Sequence, residues 1–261
     1  QAIAAAKLNG KVNFITKIGN DKNGEMALNL YKSLGMDIAS IIQDKNHSTG
    51  VAGIMVNEKT GDNAINIIPG AAGTLTNDDI EKNLNFIANT DIFLTQLETP
   101  YDVTKYALKK AKENKLTTIL NPAPACQIND DDFKLIDFFT PNETEAEFYL
   151  NKKIETEKDI KIASEEFLKK GIKNIVITLG EKGCYFANDK ENFFMNAFKL
   201  KEPVVDTTGA GDAFNGALAV GLSKDLDIKE VLTFANKVGA ISTTKQGAAA
   251  SMPSMEDLNN Y

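Results

Sequence analysis

The stretch Val205-Asp206-Thr207-Thr208-Gly209-Ala210-Gly211-Asp212-Ala213-Phe214-Asn215-Gly216 sets an acid, Asp212, at the mouth of a glycine-rich turn that runs into small residues. A glycine turn opening a helix leaves several backbone N–H groups unpaired and aimed at one place, and the helix dipole adds partial positive charge there. An anion suits such a spot, and an acid beside it has no evident structural task. The combination reads as a phosphoryl-transfer centre, with backbone amides holding the phosphate and Asp212 deprotonating the acceptor. Plainer readings compete. Asp212 could be an ordinary first-turn acid and the glycines loop residues. A dinucleotide-binding G-x-G-x-x-G would need a small residue where Phe214 stands, and no G-x-x-x-x-G-K-[ST] occurs in the chain.

Other polar motifs could share that chemistry. Thr140-Pro141-Asn142-Glu143 suggests a capping box with Thr140 as N-cap, Pro141 at the first helical position and Glu143 at the third. That leaves Asn142 and Glu145 for a ligand or for Mg²⁺-bound water. Thr178-Leu179-Gly180-Glu181-Lys182-Gly183 is first a strand-to-strand turn, though two glycines and a lysine at a sheet edge also suit a nucleotide phosphate. Glu98 directly follows an apolar run, where a sugar-binding carboxylate or an ordinary solvated loop acid would serve equally. His47 is the single histidine and falls in a linker, and Lys109-Lys110 and Lys169-Lys170 look like solvated helix faces.

The elements that must hold these residues alternate along the chain. Gln1–Leu8 reads as a helix interrupted by Asn9-Gly10, residues 12–19 as a strand, and residues 21–34 as an amphipathic helix closed by Gly35. Residues 48–68 change texture, with two short β-like runs, 51–56 and 63–68, around the turn composition of 57–62. This hairpin interrupts a strand–helix alternation and is expected to form a lid; a surface hairpin without a ligand role is the alternative. Strands over 91–97, 116–120 and 172–179 then alternate with helices over 103–114, 143–150 and 158–170, and 184–187 begins a second hairpin. Such alternation predicts an α/β fold, a mostly parallel sheet with helices on both faces. Ligands gather beyond the C-terminal strand ends of such sheets. Glu98 with Asn121, Asn142 with Glu145, 178–183 and 206–212 all fall at predicted strand ends, which argues for one site.

Composition narrows the classes. A chain of 261 residues can bury a sizeable core. Its net charge of −7 argues against nucleic acid as a partner. All 29 basic residues are lysine, so any anion clamp uses amides or lysine, and no arginine finger can come from this chain. Two distant cysteines suggest a reducing, cytoplasmic compartment, and no apolar run is long enough for a membrane span. One histidine leaves a Ser-His-Asp relay or zinc cluster little to build on.

The run Asp206-Thr207-Thr208-Gly209-Ala210-Gly211-Asp212, with Ser48-Thr49-Gly50-Val51-Ala52, Gln96-Leu97-Glu98, Asn121-Pro122-Ala123-Pro124-Ala125 and Thr140–Glu147, resembles the ribokinase family of carbohydrate kinases over the whole chain. The resemblance implies a three-layer α/β/α sandwich with a small β lid, one domain over residues 1–261 carrying the hairpin 48–68. It implies transfer of the ATP γ-phosphoryl group to the 5-hydroxyl of D-ribose, in a cytoplasmic homodimer joined through its lids. By the same resemblance Asp212 is the base and the amides of Gly209, Ala210 and Gly211 form the anion hole. Asn142, Thr178, Leu179, Gly180, Glu181, Lys182, Gly183 and Asn236 line the ATP site, Glu145 acts on Mg²⁺ through water, and Glu98 binds the sugar. Asp206 and Ser251, with carbonyls of Thr208, Ser242, Lys245 and Gly247, hold a monovalent cation, usually K⁺; oxygen-only ligands suit a hard cation. Another sugar or nucleoside kinase of the family, such as a deoxyribokinase or fructokinase, and a binder without turnover are the alternatives.

Relatives carry, ahead of the residue matching Gln1, a strand with an Asn-x-Asp sugar motif and a Gly-Gly-x-Gly-x-Asn loop. Neither occurs in these residues, and Ala72 stands where such kinases usually have Asn. The chain also opens without Met in a helix that has no capping residue. The expectation is a chain lacking its natural N-terminus, and unstable or inactive when made from these residues alone.

Overall fold

Alternation of apolar and amphipathic stretches builds a layered sheet in the computed structural model, which describes residues 1–56 and 63–261. The chain opens with helix α1 (Ala2–Lys7), strand β1 (Thr16–Gly19), helix α2 (Lys22–Ser33) and strand β2 (Ile41–Asp44). α2 starts where the Asp21 side chain accepts from the Gly24 N–H, and it ends before Gly35, whose φ is +69°. β1 and β2 pair parallel with each other. Strands β3 (Val51–Val56) and β4 (Asn63–Ile68) pair antiparallel from Val51↔Ile68 to Val56↔Asn63. The predicted turn at 57–62 lies outside the described residues.

Helices α3 (Asn77–Glu81) and α4 (Leu84–Ala88) lead to β5 (Ile92–Thr95), α5 (Tyr101–Glu113), β6 (Thr117–Leu120), β7 (Phe138–Phe139), α6 (Glu143–Leu150), α7 (Glu157–Lys169) and β8 (Asn174–Thr178). β9 (Cys184–Asn188), β10 (Asn192–Met195), α8 (Ala210–Leu222), α9 (Ile228–Ser242) and α10 (Met255–Asn259) complete the chain. The main sheet runs β10-β9-β8-β7-β6-β5; β5 to β8 are parallel, and β9 and β10 turn back antiparallel.

Strand periodicity explains the layers. Ile119, Phe138 and Val176 point to one face, where α1, α8 and α9 bury Ala4, Leu8, Ala217, Leu218, Leu232 and Ala235 against them. Their neighbours Leu120, Phe139, Ile175 and Ile177 point to the other face, against Ala146 of α6 and Ile160, Ala163 and Phe167 of α7. Each fully buried Phe or Ile contributes about 1.5–3 kcal/mol. The fold is the expected three-layer, mostly parallel α/β sandwich. Among the described residues no helix is long and apolar enough to cross a membrane.

Several local expectations need correction. The strand predicted over 12–19 is regular only from Thr16, with Asn13 making an isolated bridge to Asp37. β2, α3 and α4 carry four or five residues each, too few for a visible period, although Thr76 and Asp79 form a capping box that starts α3. The box at α6 sits two residues later than the sequence suggests. Asn142 is its N-cap and Glu145 its third residue: Glu145 N–H donates to Asn142 Oδ1 and Asn142 N–H to Glu145 Oε2, both at 2.8 Å. Thr140 is drawn elsewhere, donating its hydroxyl to Asn215 Oδ1 at 2.7 Å.

Candidate active site

The first turn of α8 forms one wall of the site. Gly209 caps it with φ +78°, a left-handed conformation suited to glycine, and supplies no side chain to the first-turn amides. Asp212 follows in that turn, on a helix anchored by buried Ala213, Phe214, Ala217 and Leu218. Of the three amides expected to hold an anion, Ala210 N–H already donates to Thr207 O at 3.2 Å.

The other walls come from strand ends. Asn142 bridges to Thr178, whose N–H donates to Pro141 O at 2.9 Å, so the start of α6 is fastened to the end of β8. Asn215 Nδ2 donates to Gly211 O at 2.9 Å and its Oδ1 accepts from Thr140, tying α8 to the residue after β7. Asn121, after β6, donates to Thr140 O at 3.2 Å. Together with Thr207, Gly209, Ala210, Gly211 and Asp212 these residues line a cleft of about 160 Å³. Burial pushes the Glu145 carboxyl up, against the opposing pull of the Asn142 N–H. Glu98 lies within electrostatic reach: partial desolvation, and then the charge of Asp212, push its carboxyl up. A larger hollow of about 470 Å³ opens at the opposite strand edge, but Lys112 and Lys173 there already pair with Asp137 at 2.7 Å each.

The remaining predicted residues do not line this cleft. Leu179 is buried, Gly180, Glu181 and Lys182 form a single 3-10 turn, and Gly183 (φ +98°) accepts the Leu179 N–H. Asn236 Nδ2 faces Cys184 Sγ at 3.4 Å, and burial holds that thiol up at about 11. Asp206 accepts from the N–H of Gly247 and of Thr208, each at 2.9 Å, which holds its carboxyl below the usual range. It thereby joins the loop after α9 to the turn before α8. Ser242 and Ser251 are buried with hydroxyls donating to Gly239 O and Ala248 O, and Lys245 Nζ pairs with Asp257 at 3.0 Å.

Four residues at the cleft or on Asp212 escaped the sequence reading as site residues. Gln1 Nε2 donates to Asp212 Oδ1 and to Asn121 Oδ1, both at 2.9 Å. Thr140, Thr207 and Asn215, which line the cleft, complete the set. Gln96 stands behind them, its Nε2 donating to Gln1 Oε1 at 2.5 Å. Asn215 carried a local signal, since it follows Asp212 by one helical turn on a face otherwise apolar.

The family model for "pfkB family carbohydrate kinase" matches residues 1–255. A ribokinase of Staphylococcus aureus (strain COL) is 38% identical over 260 residues, covering 99% of this chain and 84% of the relative. A deoxyribokinase of Salmonella typhi is 34% identical over 262 residues, covering 100% of this chain and 85% of the relative. The solved structure of an Arabidopsis thaliana ribokinase complexed with ribose and ATP superposes with a TM-score of 0.88 at 27% identity, over 99% of this chain and 84% of that one. With its signature turn, its layered sheet and these relatives, the chain belongs to the pfkB family of carbohydrate kinases.

Proposed function

We propose that the protein transfers the γ-phosphoryl group of ATP to the 5-hydroxyl of D-ribose, giving D-ribose 5-phosphate and ADP. The observation that carries the reading is the meeting of an uncapped helix N-terminus with Asp212 in a cleft within electrostatic reach of Glu98. The likeness to the Staphylococcus ribokinase and to the ribose- and ATP-bound Arabidopsis enzyme supports ribose as the acceptor. Asp212 would take the hydroxyl proton as the sugar oxygen attacks the γ-phosphorus and the bond to ADP breaks. The amides of Gly209 and Gly211, with Ala210 once it leaves Thr207, would stabilise charge on the transferring group. A positioned base adds about 10²–10⁴-fold, and geometry and charge supply most of the rest.

Glu98 would bind the sugar. Asn142, Thr178 to Gly183 and Asn236 would border the nucleotide, with the 179–183 turn and Asn236 standing beyond the cleft proper. Mg²⁺ bound with ATP supplies charge neutralisation at the phosphates. Glu145 suits it as a ligand through water, because a carboxyl destabilised by burial gains from a nearby cation. A K⁺-like ion suits the negative charge of Asp206, whose carboxyl the Gly247 and Thr208 N–H groups hold below the usual range, and a hard cation takes oxygen ligands. Asp206 with the carbonyls of Thr208, Ser242, Lys245 and Gly247 and with Ser251 would hold it, steadying the turn before α8.

The hairpin β3–β4 would act as the lid and as the contact of a homodimer. Val51, Ile54, Met55, Ile67 and Ile68 are exposed along it, an apolar surface that a second lid could cover. The Salmonella relative favours 2-deoxyribose as the second reading. An ATP-consumption assay over a sugar panel, with the phosphorylated carbon identified by NMR, tests both. Ribose 5-phosphate formed at the highest kcat/KM supports the proposal; preference for deoxyribose or a hexose, or ligand binding without ADP release, contradicts it.

A further inference from the structure

Asp212 does not face the cleft with an unrestrained carboxylate. Both amide hydrogens of Gln1 Nε2 have acceptors, Asp212 Oδ1 and Asn121 Oδ1, each 2.9 Å away. A glutamine amide could present either its oxygen or its nitrogen to a neighbour, and here its neighbours decide. Gln96 Nε2 donates to Gln1 Oε1 at 2.5 Å, so only the nitrogen end of Gln1 remains for Asp212. Asn121 is fixed in turn, because its Nδ2 donates to Thr140 O. The polarity of the chain Gln96, Gln1, Asn121, Thr140 therefore runs one way, and no member can flip without orphaning a partner. Among the described residues, Gln1 is the only side chain that donates to Asp212.

The packing beneath serves the same approach. Gly216 lies one helical turn after Asp212 on the same face of α8, and a Cβ there would stand 2.7 Å from Gln1 O and from Ala4 Cβ. The missing side chain lets the start of α1 come close enough for Gln1 to reach the acid.

We infer that Gln1 is a positioning residue whose carboxamide, oriented by Gln96 and braced by Asn121, holds Asp212 Oδ1 and leaves Oδ2 as the oxygen that takes the acceptor's proton. The inference rests on the reading of Asp212 as the base. Without the amide the carboxylate turns about its own bond and meets the hydroxyl in a productive orientation only part of the time. The loss then falls on turnover, since Gln1 touches none of the amides assigned to the phosphate.

Kinetics of Gln1→Met in the full-length protein test this, because methionine keeps the length of glutamine without its donor. A hydrogen bond to a charged group predicts a kcat lowered roughly tenfold to a hundredfold, with the KM for ATP and the thermal midpoint unchanged. Gln96→Met lowers kcat too, and the double variant is no slower than Gln1→Met, because Gln96 acts only through Gln1. Wild-type kcat in Gln1→Met, multiplying losses in the double variant, or a kcat loss matched by a fall in thermal midpoint overturns the inference. Should Gln1→Met not fold, Gln96→Met decides alone, and wild-type kcat there overturns it. Asp212→Asn separates the two layers. If it turns over normally, the base reading fails; if it is inactive while Gln1→Met is normal, only the role of Gln1 fails.

Discussion

Gly211 marks a place where the protein's own packing makes no demand for glycine. Its φ is not left-handed, and a Cβ there would meet nothing within 4 Å. Gly209, two residues earlier, has φ +78°, and a Cβ on it would stand 3.1 Å from Met252 Cε, so the fold accounts for it alone. On the proposed reading, the use of glycine at 211 is the close approach of a ligand to its amide. Gly211→Ala should therefore fold with unchanged or slightly higher stability, since alanine favours the helix. It should lose about 10²-fold in kcat/KM for MgATP through displacement of the phosphate; steady-state kinetics beside a thermal melt check both, and full activity would remove the Gly211 amide from the anion hole. Asp212 and Gly209 were legible in the sequence because their chemistry is contiguous. The link from Gln1 to Asp212 and Asn121 was not, because both partners lie more than a hundred residues away. The capping role of Asn142 and Glu145 was not legible. Thr140 offered an equally good cap by local pattern, and only its distant bond to Asn215 frees the box to start at Asn142.

Elements bring these residues together through contacts that a local reading cannot see. The hairpin β3–β4, α2, α6 and the strand–helix alternation were readable, since each carries a period or a cap. The register of α1 on α8 was not, because it depends on Gly216 meeting Gln1 and Ala4. Gly216→Ala should cost about 1–3 kcal/mol by overpacking and should also lower kcat, as α1 is pushed off the helix that carries Asp212. Urea unfolding and initial rates measure the two effects. A variant as stable and as fast as the parent would contradict the account of this contact. Ala6, on α1 but not buried, serves as a comparison position.

Across the whole molecule, fixed carboxylates set the response to acid. The N–H of Asn46, and then the His47 side chain, hold Asp44 at about 2; the N–H of Ser254, and then Lys245, hold Asp257 at about 2, against an ordinary value of 3.8. A carboxyl depressed in the folded state adds stability that is complete above its unfolded value and is lost as pH falls toward its folded one. Glu98 and Glu145 act oppositely: with carboxyls raised by burial, they add stability that is complete below about pH 4.5 and is lost as pH rises through their higher folded values. The depressed set, which also includes Asp21, Asp79, Asp137 and Asp206, outnumbers them. The thermal midpoint should drop between about pH 4 and pH 2, less steeply in Asp257→Asn; a flat profile would contradict this. The whole-molecule claim, however, is that the sheet's C-terminal edge gathers an acid and an anion-holding turn to move a phosphoryl group onto a sugar. Asp212→Asn tests it most directly, with turnover of ATP and D-ribose and nucleotide affinity measured on the same preparation. The account predicts nucleotide binding close to that of the parent with kcat lower by about 10²–10⁴-fold, whereas near-parental turnover in that variant would contradict it.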